Sequence, residues 1–139
     1  MIGFVLDASV ALAWFLDQPV PAYAQRVRSA LLKGERAAVP SLWHLEMANG
    51  FAVSERRGIL KSADVDLALV QVGQLLSQAV ELSTEFVSLS QAFARARRFR
   101  LSAYDAVYLE VAQRLRLPLA TLDRSLAAAA KLANVDLFR

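Results

Sequence analysis

The chain has 139 residues, of which 56% are hydrophobic and 21% charged, so it can bury a core and carries too little net charge for a disordered chain. It contains no cysteine, which excludes disulfides, thiol catalysis and cysteine-ligated zinc. Sixteen Lys and Arg against thirteen Asp and Glu leave a formal charge of +3, a balance that suits nucleic acid or an acidic protein without proving either.

In chain order, Ile2 to Leu6 is a short apolar run that reads as a buried strand. A helix follows over Val10 to Leu16. Pro19 and Pro21 punctuate, and Pro21 opens a helix that runs to Lys33, where Gly34 stops it. Ala37 to Val39 is a second strand. Pro40-Ser41 starts a helix to Arg57, closed by Gly58, and another helix spans Ala63 to Ser77. Ala79 to Leu82 is a third strand, followed by helices over Glu85 to Phe99 and Ala103 to Leu115. Pro118 to Leu122 is a fourth strand, Arg124 to Leu132 the last helix, and Val135 to Phe138 a candidate fifth strand. Short apolar strands alternating with helices imply a mostly parallel sheet with helices on both faces and right-handed crossovers, an α/β/α sandwich. No repeat, low-complexity tract or linker divides the chain, so residues 1–139 are expected to form one domain. No apolar run approaches the ~18 residues of a membrane span. Met1 to Leu6 lacks a basic leader and Asp7 follows at once, so a cytoplasmic protein is expected.

In open α/β sheets, sites form beyond the carboxyl ends of the strands. Asp7 directly follows the first strand, Glu46 lies early in the helix after the second, and Asp123 directly follows the fourth. Asp105 begins the helix that leads back into the sheet, so topology alone does not place it on the same edge. Each acid has a local alternative. Asp7 and Asp123 can cap helices, Ser102 to Asp105 matches a capping box, and the helix dipole favours Glu46. Capping, however, does not require three acids on one edge. Clustered carboxylates repel unless a counter-charge joins them, and hard divalent ions prefer oxygen ligands. With one histidine and no cysteine, the pattern points to Mg²⁺ or Mn²⁺ and to metal-assisted phosphoryl chemistry.

Four blocks carry a resemblance. Phe4 to Val10 followed by Ala13-Trp14-Phe15, Leu45 to Asn49, Leu101 to Tyr108, and Leu119 to Arg124 resemble, in order, the acidic motifs of the PIN-domain toxins of the VapC family. The resemblance implies a three-layer sandwich around a parallel four- to five-stranded sheet. It implies that Asp7, Glu46, Asp105 and Asp123 bind Mg²⁺ or Mn²⁺ in one pocket, with Asp7 and Asp105 as the central ligands. It further implies a toxin that cleaves structured RNA, such as transfer or ribosomal RNA, by metal-activated water, leaving a 5′-phosphate and a free 3′-hydroxyl. A small VapB-like antitoxin would hold it in check, and the unit would be a homodimer.

Ser9 and Thr121 lie two residues from Asp7 and Asp123, where they can orient metal waters or phosphate, or merely bond locally. Asn49 shares a helix face with Glu46. His44, the lone histidine, has no partner acid or base and is read as structural beside Trp43. Arg95, Arg97, Arg98 and Arg100 sit where a helix C-terminus favours cations; an RNA contact with Arg56 and Arg57 is the other reading. Trp14, Phe15 and Leu16 serve the core or an interface.

Rival classes lose specific residues. A haloacid-dehalogenase-like phosphatase needs a second Asp at position 9, which is Ser9. A receiver domain needs an Asp after the third strand, where Ser83 and Thr84 stand, and a Lys near the fifth strand. A catalytically silent PIN-fold protein that binds RNA or antitoxin is separated only by assay.

Overall fold

The structure is a computed structural model that describes all 139 residues. Its elements are β1 (Ile2–Leu6), α1 (Ala8–Leu16), α2 (Ala22–Leu32), β2 (Arg36–Val39), α3 (Leu42–Arg56), α4 (Ser62–Gln78), β3 (Val80–Leu82), α5 (Leu89–Phe99), α6 (Ala103–Leu115), β4 (Leu119–Ala120) and α7 (Arg124–Leu132). The four strands pair in parallel in the order β3-β2-β1-β4.

That order explains where a site can form. The chain steps outward from β1 to β2 to β3, with α1 to α4 packed against one another along the way. It then returns through α5 and α6 to place β4 on the other side of β1, with α6 packed on β1, β4 and α7. Because parallel crossovers are right-handed, the reversal puts the two helix groups on opposite faces. The crevice lies where the order reverses, beyond the carboxyl ends of β1 and β4. The three-layer α/β/α arrangement is the one expected from the alternation of apolar runs and helices.

The central strands read as continuous apolar runs because both faces are covered. Phe4, Val5 and Leu6 of β1 and Ala37, Ala38 and Val39 of β2 are buried, and all but Ala38 join one core of 32 buried residues. Each fully buried Leu or Phe in it contributes roughly 1.5–3 kcal/mol over leaving the side chain in water. Trp14 belongs to this core and donates its indole N–H to the Ala24 carbonyl at 2.7 Å, which pins α1 to α2. Phe15 packs edge-on against Phe51, joining α1 to α3.

Most boundaries shift by one or two residues from the sequence reading, and three elements depart further. The helix expected from Glu85 begins at Leu89, because Ser88 and Gln91 form a reciprocal capping box and hold the preceding residues extended. The fourth strand shortens to two residues, since Thr121 turns its hydroxyl to the site and accepts the Asp123 N–H. The fifth strand is reduced to one parallel bridge between Leu119 and Leu137. The segment there is anchored by stacking of Phe138 on Phe4 and by the Tyr23 hydroxyl on the Phe138 carbonyl. No helix is long and apolar enough to cross a membrane.

Candidate active site

Asp7, Glu46, Asp105 and Asp123 line one cleft of about 330 Å³, together with Ser9, Asn49, Leu12 and Gly50. Thus Asp105, which topology left open, shares a cleft with the other three acids. No lysine or arginine lines this cleft, and none of the four carboxylates takes part in an ion pair.

The acids are held in different ways. Asp7 is 3% exposed and does not cap α1, although it stands at the helix start. Its Oδ2 instead accepts the hydroxyls of Ser9 and Thr121, each at 2.7 Å. Those hydroxyls are oriented from behind: Ser9 Oγ accepts the Leu122 N–H at 3.0 Å, and Thr121 Oγ1 accepts the Asp123 N–H at 3.0 Å. Each hydroxyl therefore gives one bond and takes one, which fixes its direction. Asp123 does cap α7, its Oδ1 accepting the Leu126 N–H at 2.8 Å. Ser102 caps α6 by accepting the Asp105 N–H at 3.1 Å, while no reciprocal bond from Asp105 completes a capping box. The Asp105 carboxylate remains available to the cleft.

Electrostatics follow from burial and crowding. Burial raises the Asp7 carboxyl, the two hydroxyls only partly offset this, and the Asp123 charge adds to it. Burial also raises Glu46, against the Tyr108 hydrogen bond and together with the Asp7 charge. Asp105 is pushed up to about 6, first by burial and then by the charges of Asp7, Asp123 and Glu46. Like charges thus hold protons on the cleft that water alone would remove. A cation would supply the missing counter-charge, and an all-oxygen donor set suits a hard divalent ion. In the present rotamers no three carboxylates close into a ready-made coordination sphere.

These relations emerge only across long sequence distances, and whole-chain comparison gives them context. The PIN domain family matches residues 4–132. The chain belongs to the PIN-domain family. This PIN domain is 28% identical over 123 residues to a protein named Ribonuclease VapC3 from Pyrobaculum aerophilum, covering 88% of this chain and 91% of that one. It also superposes on the crystal structure of PAE2754 from Pyrobaculum aerophilum with a TM-score of 0.70 at 26% identity, covering 92% of this chain and 86% of that one. The family resemblance carried by the four acidic motifs is therefore the one the whole chain shows.

Other expected residues lie elsewhere. His44 is half-buried, packs edge-on against Trp43 and does not line the cleft. Arg95 is committed to Glu110 and Gln113, whereas Arg97 covers the Phe93 ring and Arg98 sits over Phe99. Arg56 and Arg57 are exposed at the end of α3.

Two residues of the PIN domain's site went unassigned in the sequence. Tyr108, fully buried, donates its hydroxyl to Glu46 Oε1 at 2.6 Å. Burial and that bond keep its phenol protonated far above the usual tyrosine range. Gly50 sits where an added Cβ would lie 2.5 Å from Leu12 Cδ2, so its lack of a side chain makes room for the Leu12 side chain of α1 against α3. The available signal was spacing: Tyr108 is three residues after Asp105 and Gly50 four after Glu46, each on its acid's helix face.

Proposed function

We propose that the chain is a Mg²⁺- or Mn²⁺-dependent endoribonuclease, the toxin half of a VapBC-like pair acting in the cytoplasm on structured RNA such as transfer or ribosomal RNA. The observation that carries this reading is a cleft lined by four carboxylates with no basic residue to balance them. The likeness to a protein named as a ribonuclease supports the choice of substrate.

Asp7 and Asp105 are the central ligands, and Glu46 and Asp123 complete the set directly or through water. When bound, the divalent ion activates water and neutralises charge on the phosphate. Ser9 and Thr121 keep the Asp7 carboxylate oriented. Asn49, exposed at the cleft and without a side-chain hydrogen bond to the protein, is placed to meet the phosphate or a water. Residues 1–139 act as one catalytic domain. The partners proposed are a small VapB-like antitoxin and a second copy of the chain. For the second copy, an exposed stripe of Phe86, Leu89 and Phe93 runs along α5 and its lead-in.

The test is cleavage of structured RNA by purified protein with Mg²⁺ or Mn²⁺, with and without chelator. Cleavage that stops on chelation and leaves 5′-phosphate ends is expected. Asp7→Asn and Asp105→Asn should each lose more than the ~10–100-fold typical of removing an outer partner. Metal-independent cleavage, or full activity in both variants, overturns the assignment. RNA or antitoxin binding without cleavage would instead establish a catalytically silent PIN fold.

A further inference from the structure

Glu46 has the longest side chain of the four acids, and no group on its own helix holds its carboxylate. Asp7 is held by two hydroxyls and Asp123 by the start of its own helix, but Glu46 stands on α3 away from any cap. Its one side-chain hydrogen bond comes from a different helix: the Tyr108 hydroxyl on α6, 62 residues away in sequence, donates to Oε1 at 2.6 Å. Tyr108 is fully buried, so its ring cannot turn away without disturbing the core around it. It also stands one helical turn beyond Asp105 on the same helix. One rigid element thus carries one acid and grips another.

We infer that Tyr108 is a positioning residue of the acidic centre, whose buried hydroxyl fixes Glu46 of α3 in register with Asp105 of α6 so that both can serve one cation. This rests on the metal-dependent reading above. The bond occupies Oε1 and leaves Oε2 for the ion or its waters, as outer partners of ligating carboxylates do. Without the hydroxyl, Glu46 would gain rotamer freedom and lose that orientation, while the apolar packing of the ring would persist.

The test is Mn²⁺ affinity, measured by calorimetry on the parent, Tyr108→Phe, Glu46→Gln and the double variant. Tyr108→Phe is expected to weaken Mn²⁺ binding about tenfold. In the Glu46→Gln background the same change should have no further effect. Equal losses in both backgrounds would show that the tyrosine acts through the fold, and no loss in the parent background would show that it positions nothing; either overturns the inference. If Tyr108→Phe does not fold, Tyr108→Met, apolar and without the hydroxyl, takes its place and should lose a similar factor; undiminished binding then overturns it. Failure of the parent itself to bind Mn²⁺ removes the metal reading first, and the inference with it, and is distinguished because no variant is needed to see it.

Discussion

Asp105 carries the clearest electrostatic signature in the cleft. Its carboxyl is pushed up to about 6 by burial and by the charges of Asp7, Asp123 and Glu46, against 3.8 for the unperturbed group. In the metal-free protein the native state therefore holds this proton more tightly than the unfolded chain does. Stability falls as pH rises between those two values and is flat above them. Asp105→Asn removes the cost. In chelator, the variant should melt close to the parent near pH 4 and a few degrees above it near pH 7, after allowance for solvent screening. A constant difference in melting temperature across that range would refute the crowding argument. Mn²⁺ affinity of the parent should weaken as pH drops through about 6, because ion and proton compete for the same oxygens.

At the scale of elements, most of the arrangement was legible because it rests on local signals. Ile2 to Leu6 and Ala37 to Val39 are apolar throughout, as strands covered on both faces must be. Asp7 directly follows β1 and Asp123 closes the short link from β4 to α7, so their edge follows from topology alone. The position of Asp105 could not be read that way. It depends on the return of α6 across β1 and on the exact start of that helix, which Ser102 sets. Likewise, the direction of the Thr121 hydroxyl depends on a bond to a residue 114 positions away. The fourth strand is shorter than expected and the candidate fifth is a single bridge at Leu137 for the same reason, since tertiary bonds there override the local pattern. Ser102→Ala should cost about 1 kcal/mol, the usual value of an N-cap, and lower the melting temperature by a few degrees. It should also weaken Mn²⁺ binding, because fraying of the first turn of α6 displaces Asp105. Unchanged Mn²⁺ affinity would show that the cap serves stability alone.

For the whole molecule, α5 is the least integrated helix. None of its residues is buried, and it is fastened to α6 by Arg95 on Glu110 and Gln113 and by Arg114 on Gln91 and the Phe86 carbonyl. Those polar fasteners hold the outward stripe of Phe86, Leu89 and Phe93 in a fixed line. The proposed second copy can be tested there. Leu89→Glu combined with Phe93→Glu should shift the protein from dimer to monomer in sedimentation while leaving its circular dichroism unchanged, because neither side chain supports the core. A parent that is monomeric at tens of micromolar protein, about the range of weak association, would remove the second copy from the account.

The bond between Thr121 and Asp7 joins positions 114 residues apart. During synthesis, Asp7, Glu46 and Asp105 are all made before Asp123 and before Thr121, the distant one of the two residues that orient Asp7. Until then the nascent chain carries the parts of the centre but not the centre itself.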